Sequence, residues 1–260
     1  MQNNMYQKLA FTAFILLTFL NIVFSQATTH TFTNAGITGT QGPNQTEVNA
    51  EYLGTNLEGK VTINTLGFQE WTVPQTTTYT IEAFGAEGGP DKGNTNYNGD
   101  TDHQPGKGAH IKGSFTLQKG EIIKIVVGQM GGQGNVAGGG GGGGTYVVKT
   151  PYNTNASILV IAGGGGGAAP SADNETYKHG RVETSGGQSF DNLSNVMAGG
   201  VDGNGGASGG QMGSGGGGGF FSDGAQGYPN SGQNSKGIAF INDSDGAPGF
   251  SNLMGGFGGG

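Results

Sequence analysis

Between Thr29 and Val127 the chain is a succession of short stretches in which apolar and polar positions alternate, each closed by a turn residue. Residues 30–33, 60–63, 69–73, 78–83, 111–117 and 121–127 carry this strand-like pattern. In one of them Tyr79, Ile81 and Ala83 alternate with Thr80, Glu82 and Phe84, so the two faces of a strand there differ. Gly67, Val73-Pro74, Gly88-Gly89-Pro90 and Lys119-Gly120 supply the turns. Such spacing predicts an all-β antiparallel sandwich or jelly roll. Trp71 alternates within its strand, which makes it a core anchor rather than a ligand-stacking platform. One helical turn fits at residues 47–52, and nothing else in the mature chain looks helical.

From Gly128 the pattern changes. Gly138, Gly139, Gly140, Gly141, Gly142, Gly143 and Gly144 lead directly into the strand-like Thr145-Tyr-Val-Val-Lys149. The apolar stretch 158–161 leads into Gly163, Gly164, Gly165, Gly166 and Gly167, and a third run, Gly215, Gly216, Gly217, Gly218 and Gly219, ends in Phe220-Phe221. Glycine tracts ordinarily behave as flexible linkers. These abut compact apolar stretches that must be buried, which favours order. An ordered all-glycine run suits a polyproline-II helix, with three residues per turn and outward-facing N–H and C=O groups. Several such helices side by side can bond to one another, each bond contributing about 0.5–1.5 kcal/mol against roughly 1–2 kcal/mol of backbone entropy per residue. One run alone could not hold; an array can. Replacing Gly141 by Val is then expected to push a Cβ into the helix contact and lower thermal stability.

Composition agrees with a divided chain. Of 58 glycines among 260 residues, 43 lie from Gly128 onward, so residues 26–127 hold the sandwich and 128–260 a glycine array with interleaved strands. Residues 9–24 are an apolar run ending in small residues near Ser25, which predicts a signal peptide over 1–25 and a secreted or cell-surface product with no stable membrane span in the mature chain. The chain ends inside a glycine run, which predicts that its domain continues past Gly260. The net charge is −7, and no basic run is present to neutralise phosphates, so nucleic acid and anionic membranes are poor partners. The absence of cysteine excludes disulfides and thiolate metal sites.

Candidate chemistry is thin. Gly106-Lys107 lacks the upstream glycine and following helix of a phosphate loop. Asp100-Thr-Asp-His103 and Asp243-Ser-Asp-Gly246 hold possible oxygen or imidazole ligands, but read better as solvated loops. His30, His110 and His179 are scattered, and no serine or carboxylate has a nucleophile-elbow or paired-acid context. No enzyme, cofactor or metal is expected. Sequons at Asn44, Asn155, Asn174, Asn192 and Asn242 are what an Asn- and Thr-rich chain yields by chance. Two polar stretches, residues 90–105 and 171–201, interrupt the glycine segments and belong at the ends of an array, where binding residues are usually found.

Several motifs occur together in a fixed order: Thr31-Phe-Thr-Asn-Ala-Gly36, Gly39-Thr-Gln-Gly-Pro-Asn-Gln45, Trp71-Thr-Val-Pro74, Tyr79-Thr-Ile-Glu-Ala-Phe-Gly-Ala-Glu-Gly-Gly89, Ile125-Val-Val-Gly-Gln-Met-Gly131 and the run into Thr145. In content and order they resemble the glycine-rich ectodomain of the anaplastic lymphoma kinase and leukocyte tyrosine kinase receptors. The resemblance implies a tumour-necrosis-factor-like β-sandwich with an inserted array of glycine polyproline-II helices, a region that in those receptors binds small helical cytokines. The missing disulfides point to a bacterial-type secreted relative. The expected function is an exported, non-catalytic binding or adhesion module for a protein or surface glycan. The alternatives are a receptor ectodomain fragment and a structural wall or matrix protein.

Overall fold

The structure is a computed structural model that describes residues 28–91, 104–134, 138–168, 178–190, 196–208, 215–227, 235–248 and 254–260. The chain divides into two units, 1–31 and 32–260. Of the first, residues 28–31 belong to no helix or strand, and the expected signal peptide lies outside the described residues. Among the described residues no helix is long and apolar enough to cross a membrane.

Among its described residues the second unit is mostly antiparallel β-strand, with a short α-helix before the first strand. Helix α1, Gln45–Glu51, starts where Asn44 accepts the Thr46 and Glu47 N–H groups while the Glu47 carboxylate accepts the Asn44 N–H, a capping box. The strands are β1 (Val61–Ile63), β2 (Gln69–Thr72), β3 (Thr77–Phe84), β4 (His110–Leu117), β5 (Ile122–Val126), β6 (Thr145–Lys149) and β7 (Ile158–Ala162). They pair antiparallel as a five-stranded sheet, β1-β2-β5-β6-β7, and a two-stranded sheet, β3-β4. A short β8–β9 ladder, Ser189–Phe190 with Val196–Met197, stands apart. Residues 30–33 are not a strand. The side chains of Tyr52 and Gln69 meet the Thr33 backbone instead: the Tyr52 hydroxyl accepts its N–H at 3.0 Å and the Gln69 amide donates to its carbonyl at 2.7 Å. Tyr52 donates in turn to Gln69 Oε1 at 2.6 Å, and burial holds its phenol above the usual tyrosine value.

The period of two sends the side chains of the large sheet into two cores. Trp71, Ile123, Ile125, Val147, Val160 and Ala162 face a core closed by the inward residues of β3–β4 and by Val48, Tyr52 and Leu57. Trp71 is 6% exposed and meets Phe32 and Tyr79 edge-on, which is the anchoring role expected for it. On the opposite face Phe68, Val126, Tyr146 and Val148 meet Phe220, Phe240 and Phe257, all three from the C-terminal glycine region. Phe220 stacks on Phe240 with centroids 5.0 Å apart, and Phe257 lies against Gly42 and Gly67. The Phe220-Phe221 pair that closes the third glycine run therefore fastens that run to the sheet. The Tyr146 phenol is pushed up to about 12 by its complete burial in this core, so it stays neutral.

Phe220→Ala is expected to cost about 3–5 kcal/mol by leaving a cavity between sheet and glycine segments. Chemical denaturation, with the midpoint and slope compared to the parent, measures it.

Candidate functional site

Without a side chain, a glycine segment offers its neighbours backbone from every direction. The run 138–144 is bonded in this way on several sides at once. Gly139 and Gly142 donate to the carbonyls of Ala168 and Gly165, while Gly140 and Gly143 donate to those of Gly132 and Gln129, at 2.8–2.9 Å. The Gly140 and Gly143 carbonyls accept from Gly89 and Ala86, and the Gly141 carbonyl accepts from Gly256. Groups three residues apart face the same neighbour, so four surrounding segments are bonded to this one.

The sterics repeat that period. A Cβ on Gly139 or Gly142 would overlap the carbonyls of Gly89 or Glu87, and one on Gly140 or Gly143 those of Met254 or Phe257. Gly164 and Gly167 press in the same way on Gly142 and Gly139, Gly165 on Gly106, and in the third run Gly215, Gly216, Gly218 and Gly219 press on Ser235, Gly206, Ile238 and Gly203. Gly138 instead needs its positive φ of 97°. The expectation at Gly141 is corrected: a Cβ there meets nothing nearer than the Gly260 carbonyl carbon at 3.5 Å, an ordinary contact. Gly144 and Gly217 are tight, at 3.2 Å, while Gly163 and Gly166 have room. The third run is also joined to the first through residues 254–260, since Gly218 donates to Gly259 while Gly256 donates to Gly141.

The segments form out-and-back excursions. Gly85 and Gly88 donate to Ala109 and Gly106, so 85–91 leaves the sheet beside the returning 104–109. Matching antiparallel bonds or contacts pair 128–134 with 138–144, 163–168 with 178–180, 184–190 with 196–202, 203–208 with 215–219, 222–227 with 235–239 and 244–248 with 254–258. The near ends are fixed by strands β3 to β7 or by Phe220, Phe240 and Phe257 in the second core. The described ends of these segments that lie remote from the sheet meet where Asp91 and Gly134 bridge and Met254 accepts the Gly132 N–H. This tip is the candidate site. Most of the polar stretch 90–105, and parts of 171–201, lie outside the described residues. Sequence reasoning placed such insertions at array ends but could not show that the ends coincide.

The other candidates separate. His103, with Asp100 and Asp102, lies outside the described residues. Asp243-Ser-Asp-Gly246 is a turn at the near end: Asp243 and Ser244 have positive φ, and the Ser244 carbonyl accepts from Gly258 and Gly259. Burial and the Asp243 charge raise the Asp245 carboxyl. His110 sits 2.6 Å from Glu82 and stacks on Phe84, and His179 accepts the Lys107 N–H. Among the described residues no group of three His, Asp or Glu could hold a metal. Asp223, missed in the sequence, ties the last excursions together. Burial alone would raise its carboxyl, but the Ala239 N–H, the Asn242 amide and the Lys236 ammonium at 2.9 Å hold it below the usual carboxylate range.

Gly143→Ala is expected to lower stability by at least about 1–3 kcal/mol through overpacking, while Gly141→Ala stays within about 1 kcal/mol. Thermal melts of the two variants check the contrast. Because the Asp223 carboxyl is depressed in the fold, its contribution is present above the unfolded value and lost as pH falls through the folded one. Asp223→Asn should therefore lose less stability than the parent between about pH 5 and pH 2, measured by urea unfolding at each pH.

No protein-family model matches the chain. It is 36% identical over 104 residues to the leukocyte tyrosine kinase receptor of Mus musculus, a stretch that makes up 38% of this chain and 11% of the receptor. The aligned stretch thus spans only a small part of that receptor's length.

Proposed function

We propose that the chain is an exported, non-catalytic binding module in which a jelly-roll sandwich holds a bundle of glycine polyproline-II helices and presents ligand-binding connections at the bundle's tip. The carrying observation is that the described glycine-rich segments are bonded to one another side by side, paired antiparallel out from the sheet and back. Polyproline-II geometry accounts for the period of three, because its three-residue turn returns each N–H and C=O to the same neighbour. A lattice of this kind orders its connections before a ligand arrives and so reduces the entropy lost on binding. The partial match to a receptor supports an extracellular setting and a protein or surface-glycan ligand. The same match favours a second reading, a segment of a receptor ectodomain, which a membrane span and kinase encoded further along the gene would establish.

Amide hydrogen exchange on the purified protein is expected to show strong protection across 139–144 and 163–167. Exchange there at the unstructured rate would remove the scaffold. With the scaffold in place, exchanging residues 92–103 for a short Gly-Ser linker should leave the melting temperature unchanged and abolish capture of extracellular proteins or glycans from the source organism. Undiminished capture would place the binding surface elsewhere.

A further inference from the structure

The two-stranded sheet has a face that the sandwich does not use. Strands β3 and β4 pair in unbroken register over their whole length. The period of two sends Tyr79, Ile81, Ile111 and Phe115 toward the first core and the alternate side chains outward, where all of them are exposed. At one end of this outer face the hydroxyls of Thr78 and Thr116, and of Thr80 and Ser114, approach across the strands to 3.4 Å. At the other end His110 Nε2 lies 2.6 Å from Glu82, and Lys112 lies 3.5 Å from the same carboxylate. Phe84 stacks on His110 with ring centroids 4.3 Å apart and planes 11° apart. Among the described residues these outward side chains interact only with one another. Phe84 is 60% exposed although His110 covers one side of its ring, so the opposite side is open.

We propose that this face binds a neutral polysaccharide chain. A sugar ring has one side of C–H groups and a rim of hydroxyls, and the C–H groups suit the negative face of an aromatic ring such as the open side of Phe84. Glu82 precedes Phe84 by two residues, about 7 Å along the strand, within reach of the hydroxyls of a sugar stacked there. His110 and Lys112 hold the Glu82 carboxylate in place, so it accepts from a hydroxyl without first being ordered, and the Lys112 ammonium has donors to spare. From Phe84 to Thr78 the face continues for about 20 Å along paired hydroxyls, room for several sugar rings in succession. Its charge matches an uncharged chain: Glu82 and Lys112 offset one another, and the whole protein, at −7, gives no general attraction for phosphate, sulfate or uronate. A protein partner, a second copy included, needs a desolvated apolar centre, and here Phe84 is the single large apolar side chain. The site lies on the sandwich and does not rest on the tip reading.

The test is affinity electrophoresis of the purified protein in native gels containing hydroxyethylcellulose, galactomannan or laminarin, beside gels containing polygalacturonate. The parent should be retarded by at least one neutral polymer and not by the charged one. Phe84→Ala should weaken that retardation about fivefold or more, and so should Phe84→Leu, which keeps apolar bulk but loses the ring, while Phe84→Trp should retain it. Leu53→Ala, which removes another exposed apolar side chain just beyond α1, should change nothing. Thermal melts confirm that the variants fold, and Glu82→Gln, at an exposed position, provides the comparison if those at Phe84 do not. Retardation by none of the neutral polymers, equal retardation by polygalacturonate, or retardation unchanged by the variants of this face would overturn the proposal. Sedimentation equilibrium showing self-association of the parent that is lost in Phe84→Ala would assign the face to a second copy and overturn it as well.

Discussion

The structure depends on backbone-to-backbone hydrogen bonding between segments that have no side chains in the way. A buried peptide group without a partner costs more than a typical bonded one gains, so a glycine region can be interior only if neighbouring chains meet almost every N–H and C=O. Around residues 138–144 four neighbours do this, and each must approach so closely that most added methyl groups would overlap a carbonyl. Removal of Cβ is therefore the condition for the bonding. It accounts for long glycine runs in a chain that gains little from conformational freedom there.

Such a mesh has no apolar surface of its own with which to grip a sheet. Phe220, Phe240 and Phe257 supply it, each reaching the outer face of the five-stranded sheet from a near-end turn or run end. The N-terminal segment adds a strap: Gly39 and Thr40 accept from Phe257 and Gly246, and Gln41 accepts from the Gln129 amide. Residues early in the chain thus hold the latest ones. The two cores and the mesh share strands β5 to β7, so damage to one is transmitted to the others through packed contacts rather than through a flexible joint.

The same economy bears on function. Segments bonded to their neighbours through the backbone leave their connections freest to vary without disturbing the bonding pattern. The polar stretch 90–105 falls largely in one of those connections, and 171–201 takes in parts of two more together with bonded segments between them.

Sequence by itself determined the strands, because a period of two between turn residues survives in any context that buries one face. Five of the six alternating stretches recur as β1 to β5 within a residue or two, and Trp71 anchors the core as its position implied. The sixth, residues 30–33, was misleading because Tyr52 and Gln69 satisfy the Thr33 backbone that a strand partner would otherwise have met. The glycine runs announced close approach but not its direction: Gly141 and Gly143 are identical as letters, and only the fold puts one beside open space and the other against the Phe257 carbonyl. Nor could the sequence show that 85–91 and 104–109 join the mesh, or that Lys107 meets Gly180. Those facts are long-range pairings of backbone groups, and a backbone carries no residue-specific signal from which its partner can be read.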